Sequence, residues 1–194
     1  MKIENSIILE IFKDIYFTQE ERNSIERKFE KINLEKGDIL LKAGDLVYNQ
    51  YYVYDGCLRT YFIDNSAKEH TLQFAIKDWW ISDYTAYFTN TKSIMSIECI
   101  QNATVYKISR EAIDSLYLEI PQLETFFRKK MEGAFSSFQK RILSNLSQSA
   151  KDRYTSFIRT YPNIEQSVKN YHVASYLGIT TESLSRVRKE ITQR

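Results

Sequence analysis

The chain is 194 residues long, 43% apolar and 27% charged, which is ordinary for a folded protein and long enough for two modest domains. It has no uninterrupted apolar stretch near the ~18 residues of a membrane span. Its N-terminus, MKIENSIILEIFKDIYF, has acidic residues within the apolar run and no small-residue cleavage site, so neither a membrane protein nor a secreted one is expected. The net charge of +2 conceals a split: residues 1–120 hold 14 Lys and Arg against 19 Asp and Glu (net −5), whereas residues 121–194 hold 13 against 6 (net +7).

A basic C-terminal portion on an acidic body is what a polyanionic partner requires, although a solvated basic surface has the same composition. Cys57 and Cys99 lack close spacing and read as reduced thiols packed in strands, which fits a cytoplasmic protein. With only His70 and His172 besides, no metal or iron–sulfur ligand set has convincing spacing, and no cofactor is expected.

Residues 5–31 read as helices, because Ile7, Ile8, Ile11 and Phe12, then Ile25 and Phe29, recur at three- and four-residue spacing. Thr18 is a natural cap for the second of them. From Ile32 the period changes to two, with breaks at Lys36-Gly37, Ala43-Gly44-Asp45, Asp55-Gly56 and Asp64-Asn65. Turn signals at roughly ten-residue intervals predict an antiparallel sandwich or barrel. A further strand pair around SIMSIECI and ATVYKIS extends this all-β core, of jelly-roll type, to Ser109. Ser109 caps a helix, REAIDSLYLEI, and Pro121 suits the first turn of a long one with no breaker except Gly133. Along the long helix Phe127, Met131, Ala134, Phe138, Ile142 and Asn145 form one stripe. Such a stripe packs on its own domain or seals a parallel seam with a second copy. A further helix, SAKDRYTSFIRTY, ends at Pro162.

The chain closes on YHVASYLGITTESLSRVRKEI, which meets the spacing of a helix–turn–helix starting at Asn170. Ala174 is the small residue where the helices cross and Gly178 the turn, while Val173, Leu177, Ile179, Leu184 and Val187 face a core. Thr180 caps the second helix, whose inward side is Leu184, Val187 and Ile191. Its outward side is Thr181, Glu182, Ser185, Arg186 and Lys189, the candidate base-reading set. Arg bonds guanine O6 and N7 bidentately, and Glu accepts from cytosine N4. Lys169, Thr180 and Arg188 are candidate phosphate contacts. The same pattern also fits an αα-hairpin with a solvated polar face, or a helical unit used for protein contact.

The order of β-barrel, long helix and terminal helix–turn–helix resembles the Crp/Fnr family of bacterial transcription regulators over essentially the whole chain. The resemblance is carried by KGDILLKAGD, YYVYDGCLRTYF and ASYLGITTESLSRVRKEI, the last being the most specific. It implies an α+β protein: a cyclic-nucleotide-binding-like β domain with flanking helices over 1–120, a dimerisation helix over 121–146 and a winged-helix-like DNA-binding domain over 147–194. It also implies a homodimer reading half-sites about one helical turn, ~34 Å, apart. Base reading is carried over to Thr181, Glu182 and Arg186; family members that recognise TGTGA have Arg where Thr181 stands. Little sequence follows the second helix for a wing.

Cyclic-nucleotide-binding members carry a Gly-Glu step and an Arg-Ser/Thr step; here Ser82-Asp83 and Ser93-Ile94 stand in those places, so cyclic AMP is not expected to bind. Ser82, Asp83 and Ser93 remain the candidate effector pocket. The N-terminal region has no cysteine for an Fnr-type cluster, and a lone strand histidine such as His70 beside Cys57 reads as a plain surface residue rather than a haem ligand. Trp79, Trp80, Tyr84, Tyr87 and Phe88 either line a pocket for an apolar effector or are packing. The function expected is a DNA-binding regulator and not an enzyme, since no phosphate-cradling Gly loop or nucleophile elbow is present. The partners it calls for are double-stranded DNA and a second copy of the chain, with RNA polymerase and an unidentified small-molecule effector as further candidates. The alternative is a ligand-sensing or scaffold protein.

Overall fold

The computed structural model describes residues 7–162, 164 and 168–192; residues 5 and 6 of the expected first helix lie outside them. Two short helices, α1 (Ile7–Ile11) and α2 (Gln19–Lys28), open the fold. Thr18 starts α2 through a capping box: Glu21 N donates to Thr18 Oγ1 at 3.2 Å and Thr18 N to Glu21 Oε2 at 2.7 Å.

Six strands follow: β1 (Glu30–Leu34), β2 (Ile39–Leu41), β3 (Asn49–Ile63), β4 (Glu69–Ile76), β5 (Trp80–Ile81) and β6 (Ser96–Ser109). They pair antiparallel in the order β1-β6-β3-β4, with β2 also on β6 and β5 on β3, and α3 (Tyr84–Thr89) sits between β5 and β6. One expected break is not a break, and one expected strand pair is a single strand. Asp55-Gly56 is a bulge inside the 15-residue β3, and SIMSIECI and ATVYKIS are largely one bent strand, β6. Gly56 has φ +88°, and a Cβ there would lie 2.3 Å from the Asn102 carbonyl oxygen of β6, so glycine is required by a close crossing as well as by the backbone angle.

Inside the sheet Val53, Leu58, Ala75, Ile97, Cys99 and Val105 are fully buried. Burial pushes the Cys57 thiol up to about 12 and the Cys99 thiol to about 11, so both are protonated side chains of the interior. Helix α4 (Arg110–Glu119) is capped by Ser109, and α5 (Gln122–Ser147) follows Pro121. Phe127 of α5 packs in one cluster with Ile8, Phe12, Ile25 and Leu116, which ties the start of the long helix to the N-terminal pair. Helices α6 (Ala150–Thr160), α7 (Asn170–Leu177) and α8 (Thr181–Thr192) form a third cluster with Phe74 of β4. No helix among the described residues is long and apolar enough to cross a membrane.

Candidate nucleic-acid interface

The two closing helices are set by one turn and one cap. Gly178 ends α7 in the left-handed region (φ +66°), its N–H bonding Ala174 and Ser175 carbonyls. Thr180 then accepts from Ser183 N at 3.2 Å and starts α8. Val173, Ala174, Leu177, Leu184 and Val187 are buried with Tyr154 and Phe157 of α6, while Ile179 and Ile191 pack at the rim of that cluster.

With Leu184 and Val187 inward, Glu182, Ser185, Arg186 and Lys189 lie exposed on the opposite side of α8 and Thr181 is half-buried at its first turn. The Glu182 carboxyl lies below its ordinary range because its own backbone N–H and the Thr180 and Thr181 hydroxyls bond it. It is therefore an ionised carboxylate at a helix N-terminus. Arg186 and Lys189 form no ion pair among the described residues. Lys169 stands exposed just before α7, over the Tyr171 ring at 5.7 Å. Arg188 is placed differently from its two companions: its guanidinium bonds Asn170 Oδ1 at 2.6 Å and Tyr154 Oη at 3.3 Å, so it fastens α8 to α7 and α6.

The helical unit is docked on the edge strand β4, and side chains take up that strand's outward backbone groups. Ser175 Oγ accepts from Thr71 N (2.9 Å) and donates to the Glu69 carbonyl (3.1 Å), Tyr161 Oη donates to the Phe74 carbonyl, and Arg141 of α5 donates to the Leu72 carbonyl. Leu72 is the extra residue of a bulge, since Thr60 pairs with Gln73 and Tyr61 with Thr71. Under this contact Arg59, 2% exposed, donates to Glu98 at 2.6 Å, pairs with the Glu69 carboxylate at 2.8 Å and lies over Tyr61. Beside it, His172 is buried with no hydrogen-bond partner for Nδ1 among the described residues, and burial, followed by the Arg59 and Lys169 charges, pulls its pKa down to about 3. Sequence reasoning found neither Arg59 nor Ser175, because an arginine in a strand and a serine in a helix ordinarily face water.

In the β domain Ser82, Asp83 and Ser93 come together, away from the groove facing α5. Ser82 Oγ donates to the Asn49 carbonyl (2.8 Å), Asp83 caps α3 by accepting from Ala86 N (3.1 Å), and Ser93 Oγ donates to Asp83 Oδ2 (2.8 Å). All three are buried, with their polar atoms hydrogen-bonded inside the fold. The aromatic residues divide between the core and a groove wall. Tyr87 is core, and Trp79, Trp80, Tyr84, Tyr87 and Phe88 line one wall of a groove of about 1200 Å³ facing α5. No group of three or more His, Cys, Asp or Glu among the described residues could hold a metal ion.

The stripe on α5 divides in two. Phe127 is buried in the chain's own body, and Met131 and Ala134 line the groove half-buried. Phe138 and Ile142 are 36% and 55% exposed, and Phe135, Leu143 and Leu146, which the stripe omitted, are 66%, 63% and 80% exposed.

Residues 31–119 match the cyclic nucleotide-binding domain family. The chain is 25% identical over 178 residues to the anaerobic regulatory protein of Haemophilus influenzae, covering 85% of this chain and 66% of that protein, just under two thirds of its length. In fold it is similar to FixK2 from Bradyrhizobium japonicum (TM-score 0.75, 14% identity, 85% of each chain). It is likewise similar to a CooA variant from Carboxydothermus hydrogenoformans (TM-score 0.71, 15% identity, 96% of this chain and 84% of that one). The chain thus carries a region matching the cyclic nucleotide-binding domain family, followed by a long helix and a helix–turn–helix, and it shares its fold with these solved structures over most of its length.

Proposed function

We propose that the chain is a sequence-specific DNA-binding transcription regulator that acts in the cytoplasm as a homodimer and not as an enzyme. The observation that carries this is α8, whose apolar side is sealed in a core while Glu182, Arg186 and Lys189 stand exposed with Thr181 and Ser185 on the same side. Arginine and glutamate at that spacing suit guanine and cytosine edges in a major groove. Lys169 and the Thr180 cap suit flanking phosphates, and Arg188 holds the helix at its working angle through Asn170 and Tyr154. The exposed apolar side of α5 from Phe135 to Leu146 supports a dimer seam. The division into residues 1–120, 121–146 and 147–194 follows from these roles. In this reading RNA polymerase is a further partner, and any effector is a molecule other than cyclic AMP. A cyclic phosphate near Ser93 would face the buried Asp83 carboxylate, which already takes the Ser93 hydroxyl.

Selection of bound sequences from a random duplex library tests the reading. A two-fold symmetric site with centres ~34 Å apart, retained with an affinity that falls steeply as salt rises, is expected. Equal indifference to all duplexes at low ionic strength would remove it.

A further inference from the structure

We infer that the β domain itself reaches DNA: the Lys68 ammonium, on the β3–β4 hairpin, meets the phosphate backbone beside the first turn of α8. This rests on the duplex reading above and adds to it a contact from outside the helix–turn–helix. The hairpin is rigidly built. The Asp64 carboxylate accepts from Ser66 N (2.9 Å), Ser66 Oγ (2.6 Å) and Lys68 N (3.0 Å) through one oxygen and bonds His70 Nε2 (2.6 Å) through the other. These bonds hold the Asp64 carboxyl well below the usual carboxylate range, and its oxygens are spent inside the turn.

The strand after the turn is bolted to α7 by Ser175, which bonds the Glu69 carbonyl and the Thr71 amide. Lys68 is the residue just before that bolt, so its position relative to the helix–turn–helix is fixed by a hydrogen-bonded backbone. It lines a cleft of about 680 Å³ together with His70, Tyr171, Gly178, Thr180 and Thr181. Glu69 also lines the cleft, and its carboxylate is engaged by Arg59 at 2.8 Å. Lys68 is exposed and forms no ion pair among the described residues, which leaves a cation within the same cleft as the start of the reading helix. A helix lowered N-terminus first into a groove brings the walls of that cleft to the flanking phosphates. The contact exists only while α7 is docked on β4, so it makes DNA affinity depend on the docking of one domain on the other.

The test uses the full-length protein and the duplex selected above, titrated across salt concentration. Lys68→Ala is expected to weaken binding about fivefold or more at ~0.1 M salt, to make the salt slope shallower by about one per protomer and to leave the preferred sequence unchanged. Lys68→Glu should weaken it further. Against a Ser175→Ala background, checked for an unchanged fold by its melting transition, Lys68→Ala should cost less, because the bolt is gone. If the wild type binds its site and Lys68→Ala keeps both affinity and slope, or gains affinity, the inference is overturned and the regulator reading stands. If the wild type retains no duplex, the regulator reading falls first and takes the inference with it.

Discussion

Two groups of serine, threonine and carboxylate residues in this molecule have nearly the same chemistry and opposite fates. In the β domain Ser82, Asp83 and Ser93 are buried and spend their polar atoms on Asn49, Ala86, Met95 and one another. On α8 Thr181 and Glu182 bond one another at the helix start, yet with Ser185 they stand half-buried or exposed beside Arg186 and Lys189, within reach of solvent. Residue type therefore does not separate a structural knot from a recognition surface. What separates them is whether a polar atom still has capacity once the chain has folded. A saturated buried cluster stabilises the fold, and an unsaturated exposed one is available to a partner.

Breaking each group in turn should give opposite signatures. Asp83→Ala removes the α3 cap and leaves the Ser93 hydroxyl with only its Met95 partners, which should cost about 1–2 kcal/mol of stability, read as a lowered denaturation midpoint. The operator sequence selected by the surviving folded protein should not change. Arg186→Ala should do the reverse: a loss of about 1–3 kcal/mol in binding to the preferred site and relaxed preference at one base pair, with the melting transition unmoved. A variant at Glu182, Ser185, Arg186 or Lys189 that destabilised the fold as much as Asp83→Ala would erase the distinction.

The distinction was only half legible in the sequence. The helix–turn–helix was readable because its constraints are local: Ala174, Gly178 and Thr180 act within a few residues of one another, and the buried set follows helical spacing. Long-range pairing was not readable. Asp55-Gly56 looks like a turn in isolation, and only the crossing of β6 at Asn102 turns it into a bulge. Resemblance to a family motif likewise says where Ser82, Asp83 and Ser93 stand and not which neighbour takes their hydrogen bonds. Ile142 joined the stripe of Phe127 by spacing alone, whereas the body of the protein covers α5 near Phe127 and leaves Ile142 outside. Arg59 carried no local signal, since its two carboxylates come from β4 and β6.

The docking of α7 on β4 provides the smallest of the expected effects and a way to compare the two domains directly. His172 is buried at that contact, where loss of hydration disfavours its charged form and the Arg59 and Lys169 charges add to the penalty. Its folded pKa of about 3 is below the unfolded value of 6.5, so between those values the unfolded chain binds a proton that the folded one does not. Stability contributed by the neutral ring is therefore complete above about pH 6.5 and is lost as pH falls below it. Between pH 7 and pH 5.5 the loss should be about 1 kcal/mol, while the carboxyls with lowered values, such as Glu119 at about 2, begin to matter only in more acidic solution. Chemical denaturation at the two pH values checks this, with His172→Gln as the comparison. The variant's stability should change less over that interval than the wild type's, and an equal change in both would mean that the ring takes its proton without leaving the contact.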